Sequence, residues 1–342
     1  MNISNQFKFL GAFLLMPILI FDFFKFLIFK KNISEISYQI FVRLFCLTGG
    51  FSNNLINFFL KKKKIFIPKN YENKNLFEKN DLEKINKQLN SSGYFYFPEF
   101  IDSFQINKIK TYLSKTPGQY SSDTYNTKKN EYEFFDEKNP KAVKFSYNFN
   151  EIIKNEEIQN LAFNPTLINI AQNYLGSAPI LDIVGAWWST PGLTNKPDIN
   201  SAQLWHFDLD RPKWLKVFFY LTDCNEFSGP HSFISGSHVN NGIPLSLRIY
   251  GYKRLDDELI KKYFDLSKIK SFIGKSGTMV VEDTRGLHKG QALKKGTRLI
   301  LQFQYSSSLF GSGIEKIKMP EKFFKNALLF KSVAPEIFEN FY

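Results

Sequence analysis

Hydrophobic and polar positions divide the chain into regions of different rhythm. From Phe9 to Phe21 it runs uncharged as FLGAFLLMPILIF, and apolar character resumes after Asp22 as far as Phe29. A second apolar run covers Ile40 to Leu47, and a third, Leu55 to Leu60, ends in lysines 61–64. The first run reaches spanning length only with Asp22 and Lys25 inside it. Those two share a helix face and can pair. An apolar segment leading into a lysine cluster suits an interfacial helix, whose apolar side enters the acyl boundary while the lysines meet anionic headgroups. Residues 1–64 are therefore expected to hold the chain at a membrane and to be dispensable for metal binding; the alternative is a buried helical pair packed on the catalytic domain. Lys25, Lys30 and Lys31 outweigh Lys8, which predicts a cytoplasmic location on the membrane face. A secretory signal peptide fits less well, because Lys8 is the only charge ahead of the apolar run and no small-x-small cleavage site follows it.

Residues 65–92, rich in Lys, Asn and Glu, read as a linker with one short helix. GYFYFPEF (93–100) predicts a strand. The segment after Asp102 predicts a helix with that aspartate as its cap. Residues 117–142 read as a loop. EIIKNEEIQNLAF and PTLINIAQNYLG read as two helices, the second running from Pro165 to its stop at Gly176. Beyond Pro179 the period shortens to strand-like runs between Gly, Pro, Asn and Asp, including ILDIVGAWWST, WLKVFFYLT, HSFI, TMVVED and TRLILQFQY. This predicts a mainly β domain over 93–310, an antiparallel sandwich or barrel with flanking α-helices, and a C-terminal extension, 311–342, packed on it.

With 342 residues and 43% hydrophobic content the chain can bury a sizeable core, which excludes a disordered protein. Its formal charge of +13 would suit a polyanionic partner. Lysine far outnumbers arginine, however, and Asn, Ile and Phe are also abundant, a bias that an AT-rich genome produces unaided. No helix-turn-helix, zinc-finger or RNP module is visible, so no nucleic-acid partner is expected. Cys46 and Cys224 lie far apart and read as free thiols. That fits a reducing compartment, where Fe(II) is easiest to keep.

The chain has four histidines: His206, His231, His238 and His288. In Trp205-His206-Phe207-Asp208, strand alternation sends His206 and Asp208 to one face, so both can bind one ion. His288 follows TMVVED and a Thr-Arg-Gly-Leu turn. A sandwich can bring these ends together as two histidines and one carboxylate on one face of a metal, a set that suits Fe(II) and leaves positions open. Arg298 heads the last strand-like run, and a guanidinium inside a barrel needs a carboxylate partner, which a bound dicarboxylate supplies in bidentate geometry. Gln203 and Lys216 flank this site as candidates for polar contacts to cosubstrate or substrate. His231 and His238 read as structural residues. The four tryptophans read as core, with at least one walling the pocket against water.

WHFDLD (205–210), KVFFYLTD (216–223), SGPHSFISGSH (228–238) and DTRGLHKG (283–290) followed by Arg298 resemble the phytanoyl-CoA dioxygenase family of 2-oxoglutarate oxygenases. The resemblance covers roughly residues 93–310. It implies a double-stranded β-helix, a jelly roll of two packed sheets. It also implies Fe(II) held by His206, Asp208 and His288, 2-oxoglutarate as cosubstrate with its distal carboxylate on Arg298, and O2 as oxidant. The implied reaction is hydroxylation of a C–H bond in a small-molecule or lipid-linked substrate, with release of succinate and CO2. Many relatives carry a hydroxyl residue where this chain has Gly290, and the best-known members have a polar residue in place of Phe207. Asp208 argues against halogenation, since related halogenases vacate that ligand position. The alternative is a cupin-like metal protein, an isomerase or sensor, that does not use 2-oxoglutarate; such a protein has no need of Arg298.

Overall fold

Strand alternation gives the central sheet of this computed structural model one face for a hydrophobic core and another for a polar cavity. The structure describes residues 14–67, 77, 79–121, 131–191, 201–249, 251 and 253–342. Its strands are β1 Tyr94–Phe97, β2 Gly118–Ser121, β3 Lys144–Tyr147, β4 Ile180–Ser189, β5 Trp214–Tyr220, β6 His231–Ile234, β7 Ile269–Phe272, β8 Met279–Glu282, β9 His288–Gly290 and β10 Arg298–Ser306. One sheet has the order β1-β8-β5-β10-β4-β3-β2 and the other β7-β6-β9, with every pairing antiparallel. Antiparallel sheets with flanking helices agree with the predicted jelly-roll class.

On β5 and β10 the odd-numbered residues Leu215, Val217, Phe219, Leu299, Leu301, Phe303 and Tyr305 enter the main core. Helices flank the two sheets. In chain order these are α1 Met16–Phe29, α2 Glu35–Thr48, α3 Phe51–Leu60, α4 Lys79–Ser92, α5 Ser103–Ser114, α6 Glu156–Ala162, α7 Pro165–Leu175, α8 Asp257–Tyr263 and α9 Lys325–Val333, besides single turns. Of these, α4 to α7 and α9 contribute to the main core. Ile85 and Leu89 of α4 are buried there, so the stretch read as a linker supplies a helix to the domain. Tyr305 donates its hydroxyl hydrogen to the Ala162 carbonyl oxygen at 2.7 Å, tying the sheet to α6.

Helix ends follow the sequence signals. Asp102 accepts from the Gln105 N–H at 2.8 Å, and Asn164 caps α7, which stops at Gly176 with φ 66°. The single helix expected over 151–163 is split. Asn155 accepts from the Ile158 N–H at 3.0 Å and starts α6 afresh, because its side chain offers the backbone a cap in place of helix continuation.

The even-numbered side chains of the same strands face the smaller sheet. Phe218, Tyr220, Val280 and Ile300 pack there against Phe233 and Phe272. Lys216, Glu282 and Arg298 lie on this inner side too, which is how charged groups come to be buried.

The N-terminal region is built differently. Phe45 and Cys46 of α2 pack with Trp205, Phe207 and Leu209, and the Phe45 and Phe207 rings lie 5.7 Å apart. Leu19 and Phe26 of α1 pack with Phe41 and Phe310. Arg248 also donates to the Cys46 carbonyl oxygen. Part of residues 1–64 thus packs on the domain, and the apolar stripe of α2 forms part of the wall behind His206. Among the described residues no helix is long and apolar enough to cross a membrane, so a spanning reading of the first segment has no support there. Phe9 to Phe13 lie outside the described residues.

Candidate metal centre

Two backbone devices bring the ligand candidates together. His206 and His288 exchange backbone hydrogen bonds, His206 N–H to His288 O at 3.0 Å and His288 N–H to His206 O at 2.8 Å. Trp205 pairs in the same way with Leu255. The tripeptide is thus a pair of isolated bridges and not a regular strand, but the extended backbone still turns His206 and Asp208 to one side. Ahead of His288, a tight turn is fixed by Asp283, which accepts from the backbone N–H of Arg285 and binds its guanidinium at 3.0 Å. Gly286 has to be glycine in this turn, since a Cβ would meet the Phe233 ring at 2.6 Å and Ser237 Oγ at 2.7 Å.

The three side chains converge. Nε2 of His206 lies 3.9 Å from Asp208 Oδ1, and Nε2 of His288 lies 3.4 Å from Asp208 Oδ2. One ligand atom from each residue falls within 4.8 Å of the other two. Nδ1 of His206 is 2.9 Å from the Leu204 carbonyl oxygen, and Nδ1 of His288 is 3.0 Å from that of Gly286. Each carbonyl calls for a proton on Nδ1. That leaves both Nε2 lone pairs directed at the shared point, the tautomer a metal needs.

Electrostatics keep the set in its ligating form. Burial, reinforced by the neighbouring His288, holds His206 well below the usual histidine range, so it stays neutral. Burial would raise Asp208, but Lys216 and His288 outweigh it and hold the carboxyl well below the usual carboxylate range. Lys216 reaches Asp208 Oδ2 at 2.6 Å, and Asp208 and Asp210 raise the ammonium against the effect of burial.

These residues line a cavity of about 390 Å³ together with Arg298, His231, Trp187 and Phe218. Arg298 is buried, with Nη2 3.4 Å from Ser189 Oγ. Its Nε and Nη1 have no hydrogen-bond partner among the described residues. A buried guanidinium with two open donors costs several kcal/mol by roughly the usual measure unless an acceptor meets it, so the arrangement fits an anionic ligand in the cavity. Gln203 is buried three positions before His206 and is not among the cavity-lining residues.

Two residues carry more than the sequence reading allotted them. His231, read as structural, is on the cavity wall, and its Nε2 meets Glu282 Oε2 at 2.7 Å. Burial pushes Glu282 up to about 8; burial and then Arg298 push His231 down to about 3. Both shifts favour a neutral acid donating to a neutral imidazole. His231 sits directly across the ladder from Gly290, so a side chain from β6 occupies the wall where β9 offers none. The period-2 pattern of TMVVED, which turns Val280 and Glu282 to the same side, was the available signal for Glu282. His238 bonds the Asn90 carbonyl oxygen at 3.2 Å, away from the cavity.

No protein-family model matches the chain, so the resemblance to the phytanoyl-CoA dioxygenase family rests on the quoted motifs alone. No curated protein matches it either. Among solved structures it is similar to the non-heme alpha ketoglutarate dependent epimerase SnoN from nogalamycin biosynthesis, at 15% identity over 67% of this chain and 83% of that one, TM-score 0.46. HygX from Streptomyces hygroscopicus, with nickel and 2-oxoglutarate bound, is 14% identical over 71% of this chain and 91% of its own, TM-score 0.45. EctD from S. alaskensis in its apoform is 17% identical over 71% and 80%, TM-score 0.46. Likenesses this distant carry no residue roles, and the chemistry of the centre is read from its own side chains.

Proposed function

We propose that the chain is an Fe(II)- and 2-oxoglutarate-dependent dioxygenase that hydroxylates a C–H bond of a small-molecule substrate. His206, Asp208 and His288 would hold the metal, and Arg298 would bind the distal carboxylate of the cosubstrate. The observation that carries this reading is the pair of open donors on the buried Arg298 guanidinium in the cavity that also holds the three ligands. When bound, iron and 2-oxoglutarate supply the oxidising power, by decarboxylation of the cosubstrate to succinate and CO2 with O2 as oxidant.

The chain's own part is positional. The Leu204 and Gly286 carbonyls set both imidazole tautomers. Lys216 holds the Asp208 carboxylate in place and ionised. Trp187, Phe218 and Ile300 supply apolar wall, which limits water at the reacting centre. The cupin-like alternative without 2-oxoglutarate leaves Arg298 unpaired and is disfavoured for that reason. We propose in addition that residues 1–64 bring the enzyme to the cytoplasmic face of a membrane, where a lipid-linked substrate would be accessible.

The test is 2-oxoglutarate binding by anaerobic calorimetry on Fe(II)-loaded protein. Arg298→Ala should weaken it by about ten- to a hundredfold while leaving metal stoichiometry unchanged, as expected for loss of a charge-assisted bidentate contact. Unchanged affinity would overturn the assignment. Substrate-stimulated succinate formation then provides the screen for the substrate.

A further inference from the structure

In water, an amphipathic helix turns its apolar side inward, and α3 does the reverse. Asn53 and Asn57 are buried, while Phe51, Leu55, Phe58 and Phe59 are exposed. Asn57 is held by the Ser307 hydroxyl, so the polar face is anchored in the domain and the helix cannot simply roll over. Neighbouring α1 is apolar apart from Asp22 and Lys25, which share one face. Leu19 and Phe26 face inward, while Ile20, Phe21, Phe24, Ile28 and Phe29 face solvent. A helix that is apolar on nearly all of its surface belongs in a core or in lipid.

The two outward faces are contiguous. They border one groove of about 600 Å³ lined by Ile20, Phe23 and Phe24 of α1, Leu55 and Phe59 of α3, and Phe310. More than half of the exposed large apolar side chains among the described residues lie between Leu14 and Phe66. Lysines end both helices. Lys30 and Lys31 follow α1, and Lys61 and Lys63 follow α3, all exposed. Lys61 Nζ rests 4.9 Å from the Phe58 ring centre. The acidic residues of this region are Asp22, buried against Ser34 and Ser37, and Glu35.

We propose that the paired outer faces of α1 and α3 form a monotopic docking surface for an anionic lipid bilayer. The proposal deepens the membrane reading of residues 1–64 given above and is independent of the iron chemistry. Lys62 pairs with Glu339, and charge complementarity of the remaining exposed lysines selects the occupant: an aromatic and aliphatic face rimmed by Lys30, Lys31, Lys61 and Lys63 matches acyl chains beneath anionic headgroups, whereas a second copy would set lysine against lysine. At about 1.5 Å per residue, helices of 14 and 10 residues are too short to cross a bilayer and fit an in-plane position.

The experiment is cosedimentation of the full chain with phosphatidylcholine vesicles with or without phosphatidylglycerol. Binding should be stronger with the anionic lipid and should persist in part in high salt, which screens the lysines but not the buried apolar surface. Phe24→Glu with Phe59→Glu should lower partitioning by about tenfold or more, because a charge replaces inserted apolar area at each site. Since both side chains are exposed, the fold and Fe(II) stoichiometry should be unchanged; the milder pair Phe21→Ser with Phe58→Ser provides a second reading of the same surface.

If the full chain binds vesicles and neither pair weakens it, the docking surface is wrong while the membrane reading of residues 1–64 stands. Failure of the full chain to bind any vesicle overturns both. A dimer in solution that these substitutions convert to monomer also overturns the proposal, in favour of a second copy as the occupant.

Discussion

The cavity of the candidate metal centre and the α1–α3 surface break the same rule in opposite directions. Around the cavity, an apolar double sheet encloses Lys216, Glu282 and Arg298. On α1 and α3, phenylalanines face solvent while asparagines are buried. Burying charge and exposing aromatic surface both cost free energy, and neither is needed to close the fold, whose main core is conventional. The comparison teaches that departures from the inside-apolar pattern mark where the molecule meets something else. On the reading proposed above, the complement in the cavity is a cation and an anion, and on the helices an apolar phase.

The comparison breaks most sharply at the ligands. His206→Ala or His288→Ala should abolish stoichiometric Fe(II) binding in anaerobic equilibrium dialysis, because each removes one of three first ligands; wild-type binding in either variant would dissolve the site. Next in size is a contrast within one helix. Phe26→Ala, which empties the packing against Phe310, should cost about 3 to 5 kcal/mol in denaturant unfolding. Phe24→Ala on the outer face should fall within about 0.5 kcal/mol. Equal effects would mean that the outer face is covered in solution.

The smallest effect concerns the turn ahead of His288. Burial would raise Asp283, but Arg285 and Tyr174 outweigh it and hold the carboxyl at about 2. A depressed carboxylate stabilises the fold above its unfolded value, and that contribution is lost as pH falls toward the folded one. Wild type should therefore lose about 1 kcal/mol more than Asp283→Asn between about pH 5 and pH 3, from roughly 2 kcal/mol in all. Parallel acid profiles for the two proteins would show that the pair contributes nothing.

Much of this was legible in the sequence because it is periodic or capped. Asp102, Asn164 and Gly176 act through local hydrogen bonds and φ, so α5 and α7 could be read from neighbours in the chain. The strands β4, β5, β8 and β10 announced themselves by composition, and Arg298 and the H-x-D pair by their rarity. What could not be read depends on distant partners. The four-residue β7 pairs with β6 across the smaller sheet, and nothing local distinguishes it from a loop. His231 became a cavity residue through its contact with Glu282 and its register opposite Gly290, both set by the three-dimensional sheet. The face that α3 turns outward is likewise chosen by Asn57 meeting Ser307, far along the chain.

One detail of the centre reaches beyond coordination. Because His206 and His288 are paired through their own main-chain amides, neither residue can leave without breaking the other's hydrogen bond. Local opening at this edge would therefore displace both ligand candidates together. The two amide protons should show one common protection factor against exchange with solvent, and metal loading should raise both by the same factor. Their exchange rate is a clock for how often the site comes apart.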